Sequence, residues 1–229
     1  MKKRLLVFLI VVVATSALAS SFAYADVNDS GHLDPSEVNG FDKLVMRPYN
    51  KPLDITADIS SIMAMVTPAV LFSAPSNQYL TIGVMYAETM ALSYGANTLL
   101  KYLVNRDRPY MYFDGYPESE VSSGDSSRSF PSRHSTMSFA AAGFTSYVFS
   151  KYFPESKWKI PVIALSYSLA TATATLRVAS GNHFMTDVLA GVALGTLIGY
   201  AIPALHTLFV DKDVEATVSP FSLAFKISL

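Results

Sequence analysis

A histidine with an aspartate four residues later is the clearest sign of chemistry in this sequence. His183 and Asp187 lie in the stretch LRVASGNHFMTDVLAGVALGTLIG, and Arg177 stands six residues before the histidine. Because residues i and i+4 share a helix face, Asp187 is expected to reach the His183 ring and leave its other nitrogen as a base or nucleophile. Gly181 and Asn182 indicate a turn and a helix N-cap, which would favour a bound phosphate. The alternative is a core histidine with a satisfied partner.

A cationic stretch upstream, KYLVNRDRP, offers a second part of such a site. Lys101, Asn105 and Arg108 stand at i, i+4 and i+7, and Pro109 is expected to end the helix. A cationic helix face is most often solvated surface. Here it follows a long apolar helix, so the two cations at its end are predicted to form an anion clamp.

The stretch FPSRHS opens a third apolar helix after a polar loop. A proline followed by Ser132 at a helix start exposes backbone N–H groups and a hydroxyl, which together suit a phosphate. His134 falls in the first turn, where a histidine can act as general acid for a leaving alkoxide. Taken without the other stretches, a capping or surface histidine is the favoured interpretation.

In chain order the stretches read K-x6-RP, PSxH and R-x5-H-x3-D, which resembles the type-2 phosphatidic acid phosphatase superfamily over residues 58–205. That superfamily includes bacterial class A acid phosphatases, membrane lipid-phosphate phosphatases and vanadium haloperoxidases. Two positions depart from its pattern, which usually has glycine at Arg133 and serine at Leu176. The backbone N–H of Arg133 can still serve the cradle, and its guanidinium would add a phosphate contact or restrict the pocket.

The resemblance implies a role for each motif residue. His183 would attack phosphorus, Asp187 would orient and polarise His183, and His134 would protonate the leaving oxygen. The groups implied to bind the phosphate are Lys101, Arg108, Ser132, Arg133 and Arg177. No metal and no cofactor is implied, because three fixed cations would meet the transition-state charge. We also expect the Asp187 carboxylate to raise the pKa of His183.

The composition favours a membrane-embedded helical protein. Of 229 residues, 51% are hydrophobic and 15% are charged, and the mean hydropathy is +0.31. A formal net charge of −1 gives no basic footprint for nucleic acid, and the lack of cysteine excludes disulfides and thiolate chemistry. The resemblance implies an all-α bundle with about five or six membrane-spanning helices and a short irregular C-terminal tail. The final residues, VSPFSLAFKISL, hint at a short strand.

The chain divides by composition into four parts. Residues 1–25 have the layout of a signal peptide, or of an uncleaved first membrane helix. Residues 26–57 are expected to form an exported segment, residues 58–210 the helical core that the resemblance implies to be the phosphatase, and residues 211–229 a C-terminal tail. The apolar stretches of the core are Ile59–Ala74, Tyr79–Leu103, Ser135–Phe153, Ile160–Leu176 and Val188–Val210. In the last of these, Gly191, Gly195 and Gly199 have the spacing that permits close helix packing, in a membrane or in a soluble bundle.

The segment Asp26–Glu37, DVNDSGHLDPSE, matches the spacing of a calcium-binding loop. Its oxygen ligands would come from Asp26, Asn28, Ser30, Asp34 and Glu37. Cleavage after Ala25 would leave no incoming helix, so an exposed linker is the favoured interpretation.

Topology places the three motifs on one side of the bundle. If residues 5–23 cross outward, alternation of the later spans puts all three motifs outside and the Lys151–Lys159 connection, with three lysines, inside. The predicted function is therefore a membrane phosphatase whose partners are the membrane and a phosphorylated lipid, with its site facing the periplasm. The alternatives are a soluble periplasmic acid phosphatase acting on small phosphomonoesters, a vanadium haloperoxidase and a non-enzymatic calcium-responsive membrane protein. The oligomeric state is left open.

Overall fold

The computed structural model describes residues 33–73, 78–210, 214–219 and 222–227, and within these ranges the chain forms a helical bundle. The helices are α1 (Gly40–Lys43), α2 (Lys51–Val66), α3 (Tyr79–Val104), α4 (Glu118–Ser122), α5 (Arg133–Tyr152), α6 (Lys159–Ala179) and α7 (Met185–Val210). Short 3-10 turns cover Pro35–Glu37, Thr67–Ser73 and Pro109–Tyr112. The predicted helical bundle is confirmed. The predicted signal peptide and residues 26–32 of the calcium-loop pattern lie outside the described residues.

Helix α5 occupies the centre of the bundle and contacts α2, α3, α6 and α7. Its middle turns are made of Ala140, Ala141, Ala142 and Gly143, which let neighbouring helices approach closely. Further along, α5 contributes its aromatic and aliphatic side chains to the largest apolar cluster. That cluster contains Leu71, Ile82, Met85, Phe144, Val148, Phe149 and Val162. The central helix therefore holds the ends of its neighbours in fixed positions.

The glycine stripe predicted on α7 is the surface that packs against α5. A Cβ atom added to Gly191 would lie 2.6 Å from the Ser132 carbonyl oxygen. At Gly195 and Gly199 an added Cβ would overlap the backbone of Thr136 and Ala140. Because a backbone atom cannot rotate away, each glycine sets the distance between the two helices.

We expect Gly195→Ala to destabilise the bundle by about 1–3 kcal/mol, the usual cost of overpacking a close contact. Gly95→Ala is the matched control, since an added Cβ there meets nothing within 4 Å. Alanine should hold or slightly raise stability at that helical position. Thermal unfolding of the two variants in the same detergent measures the difference, and equal melting temperatures would contradict the packing argument.

Helix α2 begins earlier than the sequence suggested. Residues 26–57 were expected to precede the helical core, whose first apolar stretch was placed at Ile59, but α2 begins at Lys51. The Asn50 side chain caps it by accepting a hydrogen bond from the Leu53 N–H, and Pro52 fits its first turn. The helix changes to a 3-10 turn at Thr67, next to Pro68.

Three described helical stretches are long and apolar enough to cross a membrane: Lys51–Leu71, Lys159–Ala179 and Met185–Leu208. They indicate a membrane protein. Helices α3 and α5, which were also expected to be spans, do not meet the same criterion. For α5 the physical reason is its central position: its Ser138 and Thr145 side chains are buried against protein, where hydrogen bonds satisfy them.

The C-terminal tail differs from the irregular segment expected. Val214–Ser219 (β1) and Ser222–Ile227 (β2) pair as an antiparallel hairpin, with Val214 opposite Ile227 and Ser219 opposite Ser222. The β-branched and alternating residues that hinted at a strand explain the difference, because such residues favour extended backbone.

Candidate active site

The three motif stretches meet at one end of the bundle. They lie at the end of α3, at the start of α5 and in the α6–α7 connection. Lys101 Nζ donates to the Ser129 carbonyl at 3.4 Å, and Ser129 Oγ lies 3.4 Å from His183 Nδ1. Arg108 Nη1 donates to the Asn182 carbonyl at 3.3 Å. Segments far apart in the sequence therefore form one continuous cluster.

A tight turn after α6 sets the position of His183. Gly181 has a φ angle of +76°, a conformation that glycine adopts without strain. A Cβ atom at this position would lie 2.5 Å from the carbonyl oxygens of both Arg47 and Pro48. The turn is therefore packed against the segment that precedes α2, and only glycine fits.

The His183–Asp187 pair is formed, although not on one helix. Helix α7 begins at Met185, so His183 precedes it and the predicted N-cap at Asn182 is wrong. His183 Nδ1 nevertheless lies 3.6 Å from Asp187 Oδ2. Since the Nδ1 side of the ring faces the carboxylate, the opposite nitrogen, Nε2, is the one that remains for a substrate.

The Asp187 carboxylate is fully buried and fixed by donors on both oxygens. Oδ2 accepts hydrogen bonds from Ser129 Oγ at 2.5 Å and from the Phe184 N–H at 2.9 Å. Oδ1 accepts from Arg106 Nη1 at 2.6 Å. The orientation of the carboxylate is thus determined by three groups besides the histidine.

The expected rise in the pKa of His183 is wrong. Burial is the largest effect, and the positive charges of Arg108, Lys101 and Arg177 add to it. Together they hold the pKa well below its ordinary value of 6.5. The carboxylate does not reverse this, because Asp187 is itself paired with Arg106. His183 is therefore neutral at physiological pH, the state in which an imidazole can act as nucleophile.

Lys101 and Arg108 do not share a helix face. Helix α3 ends at Val104, and Asn105 adopts a left-handed C-cap conformation with φ of 46°, which asparagine tolerates better than most residues. The chain is extended at Arg108 before the Pro109 turn. Arg108 is held by Asp125, through the backbone carbonyl at 3.0 Å and through the carboxylate.

Two carboxylates on α2 contact Arg177, and one of them also contacts His134. The guanidinium of Arg177 is buried and pairs with Asp54, and it lies 3.4 Å from Asp58. His134 Nε2 lies 3.0 Å from Asp58 Oδ1. Burial lowers the pKa of His134, while the hydrogen bond to Asp58 opposes that shift. A substrate phosphate would therefore compete with carboxylates for Arg177.

Ser132 and Arg133 lie at the start of α5, as predicted, but their side chains are engaged elsewhere. The Ser132 hydroxyl caps the helix by accepting from the Ser135 N–H at 3.4 Å. The Arg133 guanidinium stacks on the Tyr94 ring of α3, with its carbon 4.7 Å from the ring centre. The Ser132 N–H donates to the Asp187 carbonyl at 2.9 Å, so the backbone N–H groups of Arg133 and His134 are the candidates for binding an anion at the start of α5.

Several polar residues at the site were missed by the sequence analysis. Asp54 and Asp58 stand at i and i+4 in an otherwise apolar helix, and that spacing could have identified them. Arg106 lies two residues before a motif arginine, but nothing local singles it out. Its partner Asp42 is 64 residues away, so no short spacing could have predicted the pair.

The arrangement suits chemistry on a tetrahedral anion. Lys101, Arg108 and Arg177 bring positive charge to bear on His183, and His134 adds to it. A neutral imidazole among cations, with a carboxylate behind it and a second histidine close by, has the parts needed for phosphoryl transfer. The fold and the site together define a helical, membrane-associated phosphatase.

Comparison with known families agrees with this class. The model of the PAP2 superfamily matches residues 82–210, which is more than half of the chain. The chain therefore belongs to the PAP2 superfamily, and it is a phosphatase of that type.

Among solved structures, the chain is similar to a transmembrane PAP2-type phosphatidylglycerolphosphate phosphatase from Bacillus subtilis. The two are 21% identical, the TM-score is 0.48, and the match covers 97% of this chain and 100% of the other. No protein with a curated description matches the chain.

Proposed function

We propose that this protein hydrolyses a lipid phosphate or diphosphate at the periplasmic face of the membrane, without a metal, through a phosphohistidine at His183. One observation carries the proposal: the buried His183 has its Nδ1 against Asp187 while three cations act on the same ring. Burial and the cations keep the imidazole neutral, against the opposite effect of the Asp187 carboxylate, and the cations attract a phosphate to the ring.

The proposed reaction has two steps. His183 Nε2 attacks phosphorus, the P–N bond forms, and the P–O bond to the leaving group breaks as His134 donates its proton to the leaving oxygen. Water then attacks the phosphohistidine, His134 takes a proton from that water, and the P–N bond breaks to release phosphate. Asp187 accepts the hydrogen bond from Nδ1–H in both steps and stabilises the positive ring.

The proposed phosphate-binding groups are the side chains of Lys101, Arg108 and Arg177 with the backbone N–H groups at the start of α5. The two arginines are held by Asp125 and by the α2 carboxylates. Such pairing fixes each guanidinium before substrate arrives, which limits the reorganisation needed in the transition state. Arg108 and Arg177, and Lys101 in its protonated form, also offset the charge that a metal ion would otherwise neutralise, although burial lowers the pKa of Lys101 to about 7.

The membrane substrate is supported by the three apolar helices. The three motifs lie at one end of the bundle, and the lysine-rich Lys151–Lys159 connection lies at the other end of α5 and α6, which supports this orientation. In this proposal residues 1–25 are an export signal or first span, and residues 58–210 form the phosphatase core. A soluble periplasmic acid phosphatase is the second candidate.

We expect His134→Ala to slow hydrolysis most for poor leaving groups. An alkyl alkoxide needs a proton as it departs, so kcat for an alkyl phosphate should fall on the order of 10²–10⁴-fold. A p-nitrophenolate needs little protonation, so kcat for p-nitrophenyl phosphate should fall clearly less. Comparing kcat for an alkyl phosphate and p-nitrophenyl phosphate measures the difference, and equal losses would argue against the acid role.

We expect the pH profile of kcat/KM to be bell-shaped and displaced to the acid side. His183 must be unprotonated to attack, and its low pKa lets this state persist below pH 6.5. His134 must be protonated, and the Asp58 hydrogen bond supports that form. Asp58→Asn should therefore move the alkaline limb to lower pH.

Glu88→Gln is the control for that profile, because it removes a carboxylate of α3 that pairs with His206 of α7, away from the three motifs. The profile of this variant should match the unmodified protein. An alkaline limb that stays in place in Asp58→Asn would contradict the role of that hydrogen bond.

A substrate panel tests the proposed function. Purified protein in detergent is offered lipid phosphates, lipid diphosphates and water-soluble monoesters, with and without EDTA and vanadate. We expect lipid substrates to be preferred, EDTA to have no effect, and vanadate to inhibit as a transition-state analogue. Preference for soluble monoesters, with extraction that needs no detergent, would favour the second candidate. Loss of activity with EDTA that Mg²⁺ restores would refute the metal-free mechanism.

A further inference from the structure

Arg106 links two fully buried carboxylates through the two terminal nitrogens of its guanidinium. Nη1 donates to Asp187 Oδ1 at 2.6 Å and to Thr186 Oγ1 at 2.8 Å, while Nη2 donates to Asp42 Oδ2 at 2.7 Å. The guanidinium carbon lies 4.0 Å from the centre of the Phe184 ring. Arg106 is thus held between the α6–α7 connection and α1 and has little freedom to choose another partner.

Asp42 has no exposed surface, and its carboxylate accepts four hydrogen bonds. Besides Arg106, it accepts from the Thr186 N–H at 2.9 Å, the Thr186 hydroxyl at 2.6 Å and Asn39 Nδ2 at 2.7 Å. Burial by itself would raise the pKa of Asp42, but these donors lower it below the ordinary value. Asp42 is therefore a buried anion, and Arg106 is the cation that balances it.

The Arg106–Asp42 pair is connected to the proposed catalytic groups by the hydrogen bond from Arg106 to Asp187. Asp187 receives Arg106 on Oδ1, and its other oxygen, Oδ2, faces His183 Nδ1 at 3.6 Å. With Oδ1 fixed, rotation of the carboxylate about its own axis is blocked. Charge matters as well, since Arg106 offsets the negative charge of Asp187 beside the imidazole.

We propose that Arg106 is a positioning residue for the His183–Asp187 pair and that Asp42 is its anchor. The inference rests on the proposed function. It assigns a part in the reaction to a residue of the segment before α2, which lies outside residues 82–210 that match the family. Arg106 acts through Asp187 and touches no reacting atom.

The first test is Arg106→Gln, assayed on the best substrate from the panel. We expect kcat to fall by about 10- to 100-fold, the scale for a lost outer partner of an active-site group, with KM changed by less than about threefold. Loss of a positive charge near His183 should also raise the pKa of that histidine. The acidic limb of kcat/KM should therefore move to higher pH.

A pH readout needs all charged groups around His183 to be considered. Those that face it are Lys101, Arg108, His134, Arg177 and Asp187. None of them is changed in Arg106→Gln, so movement of the limb reports the lost cation. Arg106→Lys keeps the charge but cannot reach both carboxylates, so it should keep the limb in place while kcat still falls.

Folding is controlled by a double variant, because Arg106→Gln leaves Asp42 buried without its cation. Asp42→Asn/Arg106→Gln removes one of the two charges that Arg106 balanced, with Asp187 still present, and should regain part of the lost melting temperature while kcat stays low. Arg47→Gln is the matched control: it removes an exposed arginine from the same segment, whose guanidinium, within the described part of the chain, bonds to the neighbouring Met46 carbonyl. Its kcat and pH profile should be unchanged.

Two results would overturn the inference. In the first, folded Arg106→Gln keeps kcat within twofold of the unmodified protein, and the acidic limb of its pH profile does not move beyond experimental error. In the second, the double variant recovers kcat together with stability, which would show a purely structural role. Failure of the proposed function has a different signature, in which the unmodified protein releases no phosphate from any substrate or His183→Ala remains active.

Discussion

Replacement of His183 by alanine is expected to abolish turnover. The variant loses the nitrogen proposed to attack phosphorus, and the neighbouring Ser129 hydroxyl is engaged in donating to Asp187 at 2.5 Å. Loss of a covalent nucleophile commonly costs on the order of 10⁴-fold or more in kcat. The measurement is phosphate release from lipid and p-nitrophenyl substrates, and both should fall to background.

His206→Ala is the matched control for that variant. His206 lies near the end of α7 and pairs with Glu88 at 2.6 Å, so it is about 30 Å along the helix from the site. Its removal should leave kcat unchanged. If His183→Ala retained more than about one per cent of kcat while folded, the histidine would not be the nucleophile.

Asp187→Asn is expected to lower kcat by about 10²–10⁴-fold, by analogy with other carboxylates that fix a histidine tautomer. The substitution keeps the size of the side chain but removes the charge that stabilises the positive phosphohistidine. The structure adds a second reason. Ser129 Oγ, the Phe184 N–H and Arg106 all donate to this carboxylate, and an amide offers one acceptor oxygen for the three donors.

Substrate binding should change little in Asp187→Asn, because Lys101, Arg108 and Arg177 remain in place. Steady-state kinetics separates kcat from KM, and thermal unfolding in detergent checks that the variant is folded. A folded variant with nearly normal kcat would show that the His183–Asp187 pair is structural. A large rise in KM with kcat preserved would assign Asp187 to binding instead.

The helical bundle and the clustering of the candidate site residues could be predicted because their signals are local. The spacing between His183 and Asp187 is short, and the apolar stretches have the length of helices. The glycine spacing on α7 likewise predicted a close helix contact, which α5 supplies. Such features depend on backbone geometry within a few turns, and the sequence records them directly.

Features that depend on distant segments could not be predicted. The pairing of Asp42 with Arg106 and that of Asp54 with Arg177 join residues far apart in the chain, and no periodicity marks them. The sign of the His183 pKa shift was missed for the same reason. The nearby carboxylate was visible in the sequence, whereas complete burial and convergence of the cations emerge only when the helices are packed.

In the proposed mechanism the phosphoryl group is transferred first to His183 and then to water. The most direct measurement uses ³²P-labelled substrate, a rapid quench into alkali where a P–N bond survives, and peptide mapping of the label. We expect acid-labile, alkali-stable label on the peptide that contains His183. More label should accumulate in His134→Ala, because water is activated less well there, and none should form in His183→Ala. Label on another residue, or full turnover by His134→Ala with label never above background, would contradict it.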